Sequence, residues 1–134
     1  MIAPTWETLR LFLHVLAATV WVGGQLTLAA LVPVLRRHDA AVPKVAARAF
    51  DRVAWPAFGV LLLTGLWNVA AEQEDATSGW QATLALKLVL VAGAGGSAWA
   101  HVHAKSPREV ALYGALSGLT SVAAVFVGLL LTTA

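Results

Sequence analysis

The 134-residue chain has no cysteine, and its one methionine is Met1. The lack of thiols excludes disulfides, iron–sulfur clusters, thiolate metal sites and covalently attached c-type haem. Charge is also scarce. Asp, Glu, Lys and Arg make up 12% of the chain, where a soluble globular protein has about 25%. The formal net charge is only +2 and the basic residues do not interleave with aromatics, which argues against nucleic-acid binding. In contrast, 59% of the residues are hydrophobic. A fold this small leaves a large part of its surface wet, so the medium around that surface has to be lipid.

Crossing the hydrocarbon core takes about 20 apolar residues in a helix. Four segments meet that length, at about residues 9–35, 53–71, 80–101 and 110–133. Each must be helical, because backbone in contact with lipid has to satisfy its own hydrogen bonds. The expectation is therefore one domain, an all-α integral membrane bundle of four transmembrane helices. The first segment is longer than a secretory h-region, and Glu7 precedes it alongside Arg10. It reads as a retained helix. Within the basic stretch 36–52, Val45, Ala46, Ala49, Phe50 and Val53 have helical spacing and can extend the second helix into the interface. Ser106 and Pro107 are set to start the fourth helix.

Lys and Arg give the orientation. Loop 36–52 carries Arg36, Arg37, Lys44, Arg48 and Arg52, and loop 104–109 carries Lys105 and Arg108. The other side has only Arg10, against Glu72, Glu74 and Asp75 of an acidic turn. The positive-inside rule puts the basic loops in the cytoplasm, with loop 72–79 and both termini outside, for a multi-pass protein of the plasma (inner) membrane. Trp6, Trp67 and Trp80 then fall in the outer aromatic belt. In the third helix the run from Ala92 to Ala98 is almost all small residues, which lets helix backbones come close.

Ionisable groups inside a span are costly and face protein rather than lipid. Two stand out, His14 and Lys87. His14 lies roughly 12 Å inward from Trp6, and Lys87 roughly 10 Å inward from Trp80, at 1.5 Å per residue. At 100° per residue His14, Ala18, Trp21 and Gln25 form one stripe, and Thr83, Lys87, Ala94, Ala98 and His101 another. Both are the most polar or smallest side of their helix. His14 and Lys87 are thus expected to share a cofactor or metal site in the outer half, with Trp21, Thr64, Asn68 and Thr83 as lining. The bland alternatives are that Lys87 snorkels to the headgroups, that His14 is a hydrogen-bonded structural residue, and that Gln25 and Asn68 bind helices together. His101 and His103 point apart at i and i+2 and make a poor chelate. With His38 they suit a solvated interface.

The segment LFLHVLAATVWVGGQL, with His14, Trp21, Gly23 and Gly24, resembles the first helix of CopD-like copper-resistance membrane proteins. Arg36, then FDRVAWPAFGVLLLTGLWN with Gly65, then WQATLALKLVLV with Lys87, resemble both these and the related HemJ-type protoporphyrinogen oxidases. The HemJ-type likeness implies a b-type haem, with the first-helix histidine and third-helix lysine as essential residues. These positions are His14 and Lys87. Imidazole is a standard axial ligand. A lysine ligates only when neutral; protonated, it pairs with a propionate or a substrate carboxylate. The segment LTLAALVP lacks the aromatic and basic residues found there in HemJ-type proteins, and the fourth span also departs from their pattern.

The CopD-like branch implies copper uptake, with His14 as a metal ligand. A thioether relay for Cu(I) is impossible when Met1 is the only methionine. Three readings follow: a haem-binding redox protein acting on a porphyrin, a copper-handling protein, and a non-catalytic assembly subunit. Four spans make a small unit, which a homo-oligomer or a membrane partner would enlarge.

Overall fold

The computed structural model describes residues 1–73 and 76–133. Among these, four long helices form the fold: α1, Trp6–His38; α2, Val42–Glu72; α3, Ser78–His103; and α4, Pro107–Thr133. All four are long and apolar enough to cross a membrane. Even the shortest, with 26 residues, measures about 39 Å against a hydrocarbon thickness of about 30 Å. Large apolar side chains lie open along them, including Leu63 (71% exposed) and Leu66 (70%) on α2 and Leu119 (70%) on α4. Water would penalise such a surface, whereas lipid accepts it. The chain is an all-α, multi-pass membrane protein.

The helix ends follow from local chemistry. Thr5 caps α1: its hydroxyl accepts from the Thr8 amide at 3.2 Å, and Thr8 returns the bond to the Thr5 amide. Thr77 caps α3 by accepting from the Trp80 amide at 3.2 Å. Pro107 opens α4 as expected, with Ser106 Oγ accepting from the Glu109 amide and Glu109 Oε2 from the Lys105 amide. Each bond satisfies a helix donor that would otherwise lack a partner.

The basic stretch 36–52 is not a loop for most of its length. α1 runs through His38, and α2 begins at Val42. Only residues 39–41 turn, with Asp39 Oδ1 accepting from the Ala41 amide at 2.8 Å. Pro43 falls in the first turn of α2, where a missing N–H costs nothing. Loop 104–109 likewise shortens to residues 104–106. At the acidic turn, Glu74 and Asp75 lie outside the described residues.

The helices pair as two compact units, α1 with α2 and α3 with α4. In the first, α1 and α2 approach closely at Gly24, where a Cβ would overlap the ring of Phe50. One turn of α1, Thr19–Gly23, is π-helical. It is flanked by threonines whose hydroxyls donate to carbonyls four residues back, Thr19 to Val15 and Thr27 to Gly23, both at 2.8 Å. Such back-bonding competes with the regular ladder and bends helices.

The second unit packs through small residues. Ala94 and Ser97 of α3 are buried, as are Ser117, Ser121 and Ala124 of α4. Ser117 Oγ donates to the Ala94 carbonyl at 3.0 Å. The Ala92–Ala98 run therefore does what its composition suggests: close approach lets dispersion and one interhelical hydrogen bond replace the missing hydrophobic drive.

The Gly24 contact predicts a contrast with its neighbour. Gly24→Ala drives a methyl into Phe50 and should destabilise the protein by about 1–3 kcal/mol. Gly23→Ala meets nothing within 4 Å and should be neutral or gain up to about 1 kcal/mol of helix propensity. Thermal unfolding in mild detergent reads both, and Phe50→Leu should rescue Gly24→Ala.

Candidate functional site

Along the α1–α2 pair the inward side chains form successive levels. Arg10 meets the end of α2, His14 meets Thr64, Trp21 meets Phe58, and Gly24 meets Phe50. α1 presents Arg10, His14, Ala17 and Trp21 at spacings of four, three and four residues, a stripe down one face. Arg10, Ala17 and Trp21 are buried and His14 half-buried. The expected stripe included Ala18, but Ala17 is the more buried of the two.

The central contact is His14 Nδ1 to Thr64 Oγ1, at 2.8 Å. Thr64 is itself 5% exposed, and its oxygen lies 2.7 Å from the Val60 carbonyl oxygen. Two oxygens that close need a proton between them. The single Thr64 hydroxyl proton is therefore donated to Val60, leaving Thr64 Oγ1 an acceptor toward His14. This assigns the Nδ1 proton to His14, and in the neutral ring it puts the lone pair on Nε2. Metal-binding histidines are oriented in the same way, with one nitrogen held by a hydrogen bond and the other serving as ligand. Gly65 gives the ring room: a Cβ there would lie 3.5 Å from His14 Cε1.

One turn outward lies a residue that the sequence presented only as a topology marker. Arg10 is 4% exposed. Its guanidinium donates to Glu72 Oε1 at 3.3 Å and to the Asn68 carbonyl at 3.4 Å, with Glu7 at 4.0 Å. Glu72 is thus an ion-pair partner that stays exposed at the end of α2. Carboxylates sit badly at a helix C-terminus, and the Arg10 charge compensates Glu72 there. Among the described residues, the side-chain oxygen of Asn68 is buried with no hydrogen-bond partner. Asn68 stands at the Arg10 level, one turn outward from Thr64.

Inward of His14, the indole of Trp21 stacks on Phe58, centroids 4.5 Å apart, and meets Trp55 edge-on at 5.7 Å. Trp21 is carried on the π turn. π turns recur at functional sites because the extra residue re-aims a side chain. No apolar period of 3.6 in a sequence reveals one.

Lys87 and Thr83 belong to the second unit. The Lys87 stem lies against α4 at Gly128, where a Cβ would come 3.1 Å from Nζ and 3.3 Å from Cε. Thr83 donates to the Gly79 carbonyl at 2.9 Å. At the other end of α3, His101 Nδ1 donates to the Val110 carbonyl at 2.7 Å, and its ring lies on Gly114. His103 Nδ1 donates to the Trp99 carbonyl at 2.8 Å, with the two rings 4.3 Å apart. These two imidazoles serve different carbonyls, in keeping with the poor chelation expected of i and i+2. Among the described residues no three His, Cys, Asp or Glu side chains group as a metal site.

No family model, curated protein or solved structure matches the chain. The chemistry therefore rests on the side chains described above.

If Thr64 sets the His14 tautomer, Thr64→Val should release it. Nitrogen NMR of labelled histidine in detergent should show a single Nδ1-protonated form in the native protein and a mixture in the variant. An unchanged tautomer would mean that another group holds the ring.

Proposed function

We propose that the protein is a b-type haem-binding redox protein of the membrane, with His14 as an axial ligand. The observation that carries this is the His14–Thr64–Val60 chain of hydrogen bonds, which puts a proton on Nδ1 and the donor pair on Nε2. Haem would bring most of the donors to its iron itself, so a single histidine with one oriented nitrogen would be enough to hold it. When bound, haem supplies one-electron chemistry at iron, tuned by its axial ligand and by burial. His14 Nε2 would hold the iron and Thr64 would orient the ring. Two turns along α1 from His14, the mutually inclined rings of Trp21, Trp55 and Phe58 would close that end of the site with apolar packing. Lys87 is the second residue implied by the HemJ-type resemblance, and oxidation of a porphyrinogen is the activity which that resemblance implies. Copper handling through His14 and a purely structural assembly role are the competing outcomes.

For sidedness, the distribution of Lys and Arg supports both termini outside and the basic turns in the cytoplasm of a plasma-membrane protein. His14 then lies in the outer half.

The absorption spectrum of protein purified from haem-replete cells tests the site. A Soret band with sharpened α and β bands on reduction is expected, lost in His14→Ala, weakened or shifted in Lys87→Ala, and retained in His101→Ala. A colourless native protein that takes up copper would favour copper handling instead. Haem retained in His14→Ala would overturn the ligand assignment.

The cysteine-free sequence makes topology directly measurable. A Ser78→Cys variant should react with an impermeant maleimide from outside intact cells. Reaction only after permeabilisation would reverse the orientation.

A further inference from the structure

α2 is longer than a bilayer crossing requires. Its 31 residues span about 46 Å, of which hydrocarbon takes about 30 Å. The apolar run begins at Val53, so the turns before it lie in the headgroup layer. There Val45, Arg48, Ala49 and Arg52, at spacings of three, one and three residues, share one face of α2 and line a concavity of about 260 Å³. Both arginines are exposed, and Val45 is 65% exposed. The lining is mainly apolar, from Val45, Ala49 and the stems of the two arginines, whose guanidinium groups sit one turn apart on the same face. The surrounding stretch 36–52 holds five cations (Arg36, Arg37, Lys44, Arg48 and Arg52) against two anions, Asp39 and Asp51.

We infer that this concavity is a headgroup site for an anionic phospholipid. Guanidinium groups bind phosphate oxygens in a fixed fork geometry. Val45 and Ala49 offer the contact that the glycerol and first acyl carbons of a lipid would make and that a free phosphate would leave unused. The depth agrees as well. Val45 and Arg52 are seven residues apart, about 10 Å along the helix, enough to cross the roughly 5–8 Å of one headgroup layer. The site would fix α2 in register with one leaflet. It stands independently of any cofactor at His14.

Native mass spectrometry of delipidated protein, released from neutral detergent and titrated with dioleoyl phosphatidylglycerol or dioleoyl phosphatidylcholine, tests it. One phosphatidylglycerol should bind in preference to phosphatidylcholine. Each arginine near a membrane surface contributes roughly a fivefold gain, so Arg48→Gln/Arg52→Gln should weaken binding about 25-fold. Arg36→Gln/Arg37→Gln removes the same charge outside the concavity and should leave that tight site in place. Val45→Asn should weaken lipid binding as well, and millimolar inorganic phosphate should not displace the lipid. Equal loss in the two double variants would reduce the effect to diffuse charge and overturn the site. Displacement by inorganic phosphate would make it a phosphate site instead, and equal binding of phosphatidylcholine would exclude an anionic preference. Circular dichroism confirms folding; if the double variant fails to fold, the single variants carry the test at about fivefold each.

Discussion

Inside a bilayer a polar group finds its partner within the protein or goes without, and that constraint organises this chain. Within the four spans the described backbone is helical, and the hydroxyls follow the same rule. Thr19, Thr27, Thr64, Thr83 and Thr120 each donate to the carbonyl four residues back. This habit sets the chemistry of the site. Because Thr64 has given its proton to Val60, the only role left toward His14 is acceptor, and the tautomer of His14 follows. A surface threonine in water would leave the tautomer unspecified.

The two helix pairs solve close approach in different ways. α3 and α4 use alanine and serine, gaining dispersion along a smooth seam and one cross-helix hydrogen bond. α1 and α2 use size contrast, with Phe50 filling the place of an absent side chain at Gly24 and the rings of Trp55 and Phe58 packed against Trp21. No glycine among the described residues has a positive φ. Their value lies in the side chain they lack, not in backbone freedom. It is also the first pair that carries the titratable cluster of Arg10, His14 and Glu72.

Length and hydropathy are local properties, and they were sufficient to find all four spans to within a few residues at most ends. The exception, the start of α2, came from letting charge outweigh periodicity: Val45, Ala46, Ala49 and Phe50 carried the helix signal, and the arginines among them are simply its polar face. His14 was legible because an ionisable residue in an apolar run is rare, and Thr64 because its depth matches. Arg10 was not legible as a buried residue. A cation beside a span resembles a topology marker until its partner is known, and Glu72 is 62 residues away. The wide turn at Thr19–Gly23 was hidden for a different reason: it is a change in backbone hydrogen bonding, which leaves no trace in apolar spacing.

That turn has a geometric consequence for α1 as a whole. Arg10, His14, Ala17, Trp21 and Gly24 follow one another at spacings of four, three, four and three residues, the repeat that keeps side chains on one face of a helix. The widened turn interrupts the regular ladder inside that repeat without ending the helix. The departure from α geometry therefore falls between the level of His14 and that of Gly24, at the Trp21 ring that divides the polar part of the seam from the part set by close packing.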